Sequence, residues 1–209
     1  MDDNIFDKGR VIAFSDAVFS IALTLLVLEV AVPTSEAVSK YETWDLLAAR
    51  IPDFIGLVVS FFVTALYWIA HMRVTKYASS INTKLLWINI GLLFFIVLLP
   101  FSTGFYVSGF NVTGPFVFYC LNLSGIGFFN YLMIRYIIKK EKEETGLTKN
   151  KGKWEKTRSL NSFLAWILAG VLAFVWPSIA RYTFVLIFVF NPIIDKYYRK
   201  KILNEAAKE

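Results

Sequence analysis

Six side chains capable of polar chemistry sit in one apolar run near the start of the chain: Arg10, Ser15, Asp16, Ser20, Thr24 and Glu29. A carboxylate is costly in hydrocarbon, so Asp16 needs a hydrogen-bond or charge partner if this run crosses a membrane. Arg10 is not that partner within one helix. At 100° per residue the two side chains project about 120° apart, and they lie about 9 Å apart along the axis. Partners at the same depth come from neighbouring runs, where Trp68 and His71 close the second and Lys84 and Asn89 open the third. The expected result is a polar cluster joining three helices, serving either as a packing and orientation device or in ion passage. Glu29 lies near the far end of its run, where it reaches water. Other chemistries find too few parts. The single histidine, His71, excludes a multi-histidine metal site within one chain, and the single cysteine, Cys120, excludes an intramolecular disulfide. No nucleophile has a paired base and no two acids face each other, so the chain reads as a non-enzyme without a cofactor.

The elements that must position these groups follow from composition. Of 209 residues, 56% are apolar and only 18% charged, too few to cover a soluble domain. The mean hydropathy of +0.55 agrees. The fold class is therefore all-α, integral to a lipid bilayer. Spans of roughly twenty residues are expected at 11–32, 51–71, 85–106 and 115–138. The last apolar block, Leu160 to Ile194, is too long for one crossing and divides at Trp176-Pro177 into 160–176 and 178–194. Residues 1–209 then form one six-helix transmembrane domain with a basic loop at 139–159.

Charge placement supports six crossings. With an even number both termini share a side, and 19 of the 22 Lys and Arg residues fall on that side, leaving Lys40, Arg50 and Arg181 opposite. By the positive-inside rule both termini and the 139–159 loop are cytoplasmic. The net charge of +6 is thus a topology signal with anionic-lipid contact as a by-product. The basic loops carry little aromatic interleaving, so no nucleic-acid partner is expected. The first run is too long for a cleavable signal peptide and is closed by Pro33 instead of a small-residue cleavage site.

The first run carries a second pattern. Arg10, Phe14, Ala17, Ile21, Thr24 and Leu28 alternate spacings of four and three, with Leu25 adjoining. Such a stripe packs against another helix at a left-handed crossing, and any bundle of this hand can show it. It is also a narrow apolar seam interrupted by one hydroxyl. Asp16 projects more than about 100° away from it, so two faces carry two tasks. Absent are a Thr-Val-Gly-Tyr-Gly filter, a helix with arginine at every third position, and a matched pair of broken helices.

The sequence Arg10-Val11-Ile12-Ala13-Phe14-Ser15-Asp16 fits the Arg-x-x-x-Phe-Ser-Asp signature that opens the first helix of the transmembrane protein 175 family of potassium channels. Its continuation to Val30, the Trp68-x-x-His71 pair and Leu99-Pro100-Phe101-Ser102 strengthen the resemblance. The resemblance implies a single-repeat, prokaryotic channel of the cell membrane, assembled as a homotetramer with the first helix of each subunit lining a central pore. It also implies potassium conduction without a carbonyl filter. By position relative to Phe-Ser-Asp, the apolar constriction falls on Ile21, Leu25 and Leu28, and Thr24 supplies a hydroxyl ring where a potassium ion passes transiently. Arg10, Phe14, Ser15, Asp16, Trp68, His71, Lys84 and Asn89 become the structural network that holds the pore helix. Two rival readings remain: a small proton-coupled secondary transporter using Asp16 and His71, and a non-transporting membrane scaffold.

Overall fold

The structure is a computed structural model that describes residues 5–140, 147–183 and 185–207. Helix α1, Lys8–Leu25, starts where the Asp7 carboxylate accepts the Arg10 backbone N–H at 2.7 Å. It tightens into a 3₁₀ turn at Leu26–Glu29 and stops. Two short helices follow, α2 (Ser35–Lys40) and α3 (Thr43–Ala49), before the long helices α4 (Ile51–Thr75), α5 (Thr83–Ser108) and α6 (Thr113–Lys140). Then come α7 (Lys149–Leu172), the one-turn α8 (Pro177–Ala180) and α9 (Val185–Ala206). A two-residue strand β1, Ile5–Phe6, pairs antiparallel with β2, Ile81–Asn82, in the register Ile5↔Asn82 and Phe6↔Ile81. Asn82 also caps α5 by accepting the Leu85 N–H at 3.1 Å.

Among the described residues, four helices are long and apolar enough to cross a membrane: Lys8–Glu29, Ile51–Thr75, Thr83–Ser108 and Thr113–Lys140. They match the first four expected spans, each extended by a turn or less at most ends. The first differs in direction, beginning at Lys8 and ending at Glu29, because Asp7 caps it early and the extended Val30 closes it. The helices that carry the last two expected spans, 160–176 and 178–194, have different bounds from those spans. Helix α7 begins at Lys149, absorbing part of the expected 139–159 loop, because Thr148 caps it and the α9 residue Glu205 accepts both the Thr148 hydroxyl (2.7 Å) and the Asn150 N–H (3.2 Å). Residues 141–146 of that loop lie outside the described residues. The break is wider than a turn at Pro177, since Pro177 starts a helix turn of its own, residues 181–183 form a turn, and α9 is described from Val185.

The core lies between α5, α6 and α7, where Leu92, Ile96, Leu99, Leu123, Ile126, Met133, Ile134 and Trp166 are almost wholly buried. Helix α6 is the centre of this packing, lying against both α5 and α7, while α9 packs on α7. Over the apolar window of each span, 56% of α6 is buried but only 22% of α1. That asymmetry singles out α1 as the span with most surface left for something outside the subunit.

Polar pairs hold the peripheral helices. Arg73 of α4 donates to Glu155 of α7 at 3.1 Å, Asn130 of α6 donates to Ser159 of α7 at 3.0 Å, and Asp195 of α9 accepts from both Arg158 and the Trp154 indole of α7. Partial burial alone would raise the Asp195 carboxyl, but the Arg158 and Trp154 hydrogen bonds outweigh it and hold it below its usual 3.8.

The α6–α7 contact depends on Gly127. A Cβ there would stand 3.0 Å from Phe163 Cα and 3.1 Å from its backbone nitrogen, so the two backbones meet only across a glycine. Gly127→Leu is expected to lower stability by about 1–3 kcal/mol. Gly114→Leu, with open space around it, should leave stability nearly unchanged. Melting of the detergent-solubilised protein checks this, and equal melting of the two variants would contradict it.

Candidate functional site

Helix α1 has two faces. Ser15, Phe19, Ala22 and Leu26 are buried against the rest of the subunit, at spacings of four, three and four. On the other face the large apolar side chains are open: Phe14 is 62% exposed, Ile21 58%, Leu25 41% and Leu28 72%. Arg10, Ala17 and Thr24 are exposed beside them. The stripe read from spacing is therefore the face that the subunit leaves uncovered, and Phe14 belongs to it and not to the polar network.

The 3₁₀ turn at Leu26–Glu29 sharpens this face. Side chains three apart eclipse in a 3₁₀ helix, which sets Leu28 nearly in line above Leu25. Glu29 turns the other way, packing on α5 at Gly104, where any Cβ would collide with its carboxylate. It is half-buried there, where the sequence alone suggests free access to water. The Thr24 hydroxyl donates to the Ile21 carbonyl at 2.8 Å. Its proton is thus committed to the helix, and the oxygen lone pairs remain as acceptors on the exposed face.

The opposite face carries the anchor. The Trp68 indole N–H donates to Asp16 Oδ1 at 2.9 Å, joining α4 to α1. Asn89 of α5 donates through Nδ2 to Ser15 Oγ at 2.9 Å, and Ser15 donates to the Val11 carbonyl, also at 2.9 Å. With Nδ2 so used, Asn89 Oδ1 accepts from His71 Nε2 at 2.8 Å. This assigns the Nε2–H tautomer and leaves Nδ1, unpaired and buried, as an acceptor. The Phe19 ring lies beside the imidazole, 5.6 Å between centroids. Ser15, His71 and Asn89 are each at least 95% buried, so the chain of hydrogen bonds sits in a dry region where a broken link is expensive.

Two residues expected in this cluster lie outside it. Arg10 is exposed, and among the described residues its guanidinium has no hydrogen-bond or ion-pair partner. Lys84 points to Tyr136, 5.7 Å from the ring centroid. Matching depth does not fix azimuth around a helix, and both long side chains reach away from the packed interior. The start of α1 is held instead by the β1–β2 pair and by Lys8 Nζ, which donates to the Lys76 carbonyl at 3.2 Å and to that of Ala78.

A second polar cluster was not anticipated. Thr103 donates to Ser60 Oγ at 3.0 Å, Ser60 meets the Tyr119 hydroxyl at 3.0 Å, and Asn122 donates to Ser102 at 3.1 Å. It ties α4, α5 and α6 together near Pro100, through which α5 continues. The asparagines of the fourth span, Asn122 and Asn130, were the available signal, since amides in hydrocarbon require partners as much as acids do.

The family model described as endosomal/lysosomal potassium channel TMEM175 matches residues 10–100, the segment that contains α1, its anchor on α4 and α5, and the exposed stripe. A potassium channel of Chryseobacterium sp. (strain P1-3) is 28% identical over 195 residues, covering 93% of this chain and 97% of that one. The chain is thus similar to the TMEM175 family over residues 10–100 and to a bacterial potassium channel over nearly its whole length. A potassium channel of Streptomyces collinus is 36% identical over 97 residues, or 46% of each chain. In fold, the chain resembles the crystal structure of a lysosomal potassium-selective channel TMEM175 homolog from Chamaesiphon minutus, with a TM-score of 0.75 and 20% identity, over 91% of this chain and 97% of that one.

Ser15 and Asp16 of the Phe-Ser-Asp run thus face the subunit interior, on the side of α1 opposite the stripe they orient. Trp68→Phe removes the donor to Asp16 and is expected to cost about 1–3 kcal/mol. Combined with Asp16→Ala, which removes the acceptor, the loss should be smaller than the sum of the single losses. Melting temperatures of the three variants in detergent check this, and simple additivity would show that the bond contributes nothing.

Proposed function

We propose that four copies of this chain assemble around α1 as a potassium channel of the prokaryotic cell membrane, with Ile21, Leu25 and Leu28 forming apolar rings on the axis and Thr24 a hydroxyl ring among them. One observation carries the reading. Among the described residues, the least buried span presents an apolar stripe, broken by one hydroxyl, that no other part of the subunit covers. The bacterial relatives named as potassium channels give the permeant ion.

The mechanism needs no resident cofactor. At 1.5 Å per residue, Ile21 and Leu28 are about 10 Å apart along the axis, enough for stacked rings to expel water when they close and interrupt conduction by dewetting. Rotation or splaying of α1 widens the rings and wets the path. The Thr24 oxygens replace part of a cation's hydration shell, which favours potassium over the more tightly hydrated sodium. Asp16 and the Ser15–Asn89–His71 chain do not touch the ion; they set the rotation at which α1 shows its stripe. Their engagement within the subunit also argues against proton coupling through Asp16 and His71 as the main activity.

In this reading six helices cross the bilayer, the apolar halves of α7 and α9 completing the count, and both termini are cytoplasmic, an orientation that the 19 to 3 division of cations supports. Ile21→Asn places an amide in the apolar ring and is expected to raise resting potassium flux severalfold in liposomes, with the tetramer mass unchanged. Flux equal to that of the original chain would move the constriction elsewhere.

A further inference from the structure

A cavity of about 460 Å³ opens between α4, α5, α6 and α8, far from the stripe of α1. Its size falls in the range of about 300–1,000 Å³ typical of pockets for organic ligands. The walls are mostly aromatic, with Tyr106, Phe116 and Tyr119 among them. At the floor, the Ser60 and Tyr119 hydroxyls are bonded to each other at 3.0 Å, so they ask nothing of an occupant. From Pro52 near the rim to Ser60 at the floor is eight residues of α4, about 12 Å of depth. This interior suits hydrocarbon.

The rim is different. Among the described residues Arg181 is the one charged residue lining the cavity, its guanidinium 4.6 Å from the centroid of Phe110, and Ser178 and Tyr182 line the cavity with it. Among the described residues no carboxylate pairs with Arg181. Of the two other cations of that side of the chain, Arg50 pairs with Asp53 at 3.4 Å and Lys40 lies over the Tyr41 ring at 5.6 Å, and neither lines the cavity. An apolar slot capped by a cation that no described carboxylate neutralises matches an amphiphile with a negative head.

We propose that this cavity takes an acyl chain of an anionic phospholipid, with the headgroup phosphate held at Arg181. Placing that lipid in the outer leaflet rests on the topology proposed above; binding itself does not. A net-negative headgroup is favoured over a zwitterionic one because the rim offers positive charge with no acid to meet a headgroup amine.

The test is native mass spectrometry of the delipidated protein titrated with phosphatidylglycerol or phosphatidylcholine of identical acyl chains. Phosphatidylglycerol is expected to bind more tightly. Arg181→Gln should weaken it roughly fivefold, the equivalent of one basic residue at an anionic lipid surface, and weaken phosphatidylcholine, whose phosphate is offset by its own ammonium, by less. Ile55→Trp, which fills the cavity from its α4 wall, should weaken both lipids. Lys40→Gln should alter neither. Unchanged phosphatidylglycerol binding in either Arg181→Gln or Ile55→Trp would overturn the proposal, as would Arg181-dependent binding of oleate but not of the phospholipid. Potassium flux of the original chain, measured in parallel, separates the two readings: Arg181-dependent lipid binding without flux would keep this site and reject conduction.

Discussion

A carboxylate inside an apolar helix has to be satisfied, and the way Asp16 is satisfied fixes the rotation of α1. Trp68 supplies its donor from α4, and one residue earlier Ser15 takes a hydrogen bond from Asn89 of α5, which His71 in turn completes. These two adjacent positions grip the helix from neighbouring helices. Once the grip is set, Phe19, Ala22 and Leu26 fall inward by helical geometry, and Phe14, Ile21, Thr24, Leu25 and Leu28 fall outward. The exposed stripe is thus a consequence of the buried hydrogen bonds on the opposite face.

The rest of the subunit gives that grip something rigid to pull against. Helices α5, α6 and α7 share the large buried core, and the Ser60–Thr103–Tyr119 cluster and the Asn130–Ser159 bond stitch it at two levels about 16 Å apart along α6. At the end nearer the termini, the β1–β2 pair and Lys8 tie the start of α1 to the segment between α4 and α5. That segment, in which Tyr77, Ala78, Ile81 and Asn82 are buried, is thereby joined directly to the start of α1.

Much of this was legible in the sequence, because hydrocarbon makes a few rules strict. The four long spans follow from length and apolarity, the stripe from its alternating spacing, and the need of Asp16 for a partner on another helix from its isolation. Trp68, His71 and Asn89 could be named from depth alone. Arg10 and Lys84 could not be placed, since equal depth says nothing of direction around the axis and long charged side chains extend toward water. The start of α7 was hidden because residues 149–159 are polar and helical at once, held by a cap and by Glu205 some fifty residues later. The 3₁₀ turn that aligns Leu25 with Leu28 leaves no mark in the apolar pattern. The hydroxyl cluster around Ser60 went unseen because serine, threonine and tyrosine look ordinary singly and matter only as a set.

The central claim is that water and potassium meet the stripe of α1, and cysteine accessibility tests it most directly. The native Cys120 is buried, so an introduced thiol can be read against a quiet background. With Thr24→Cys, a small hydrophilic thiol reagent is predicted to abolish potassium flux through liposome-reconstituted protein, while Leu164→Cys on the exposed side of α7 is predicted to leave flux intact. Flux that persists after modification at position 24, or that is lost only on modification at position 164, would contradict the account.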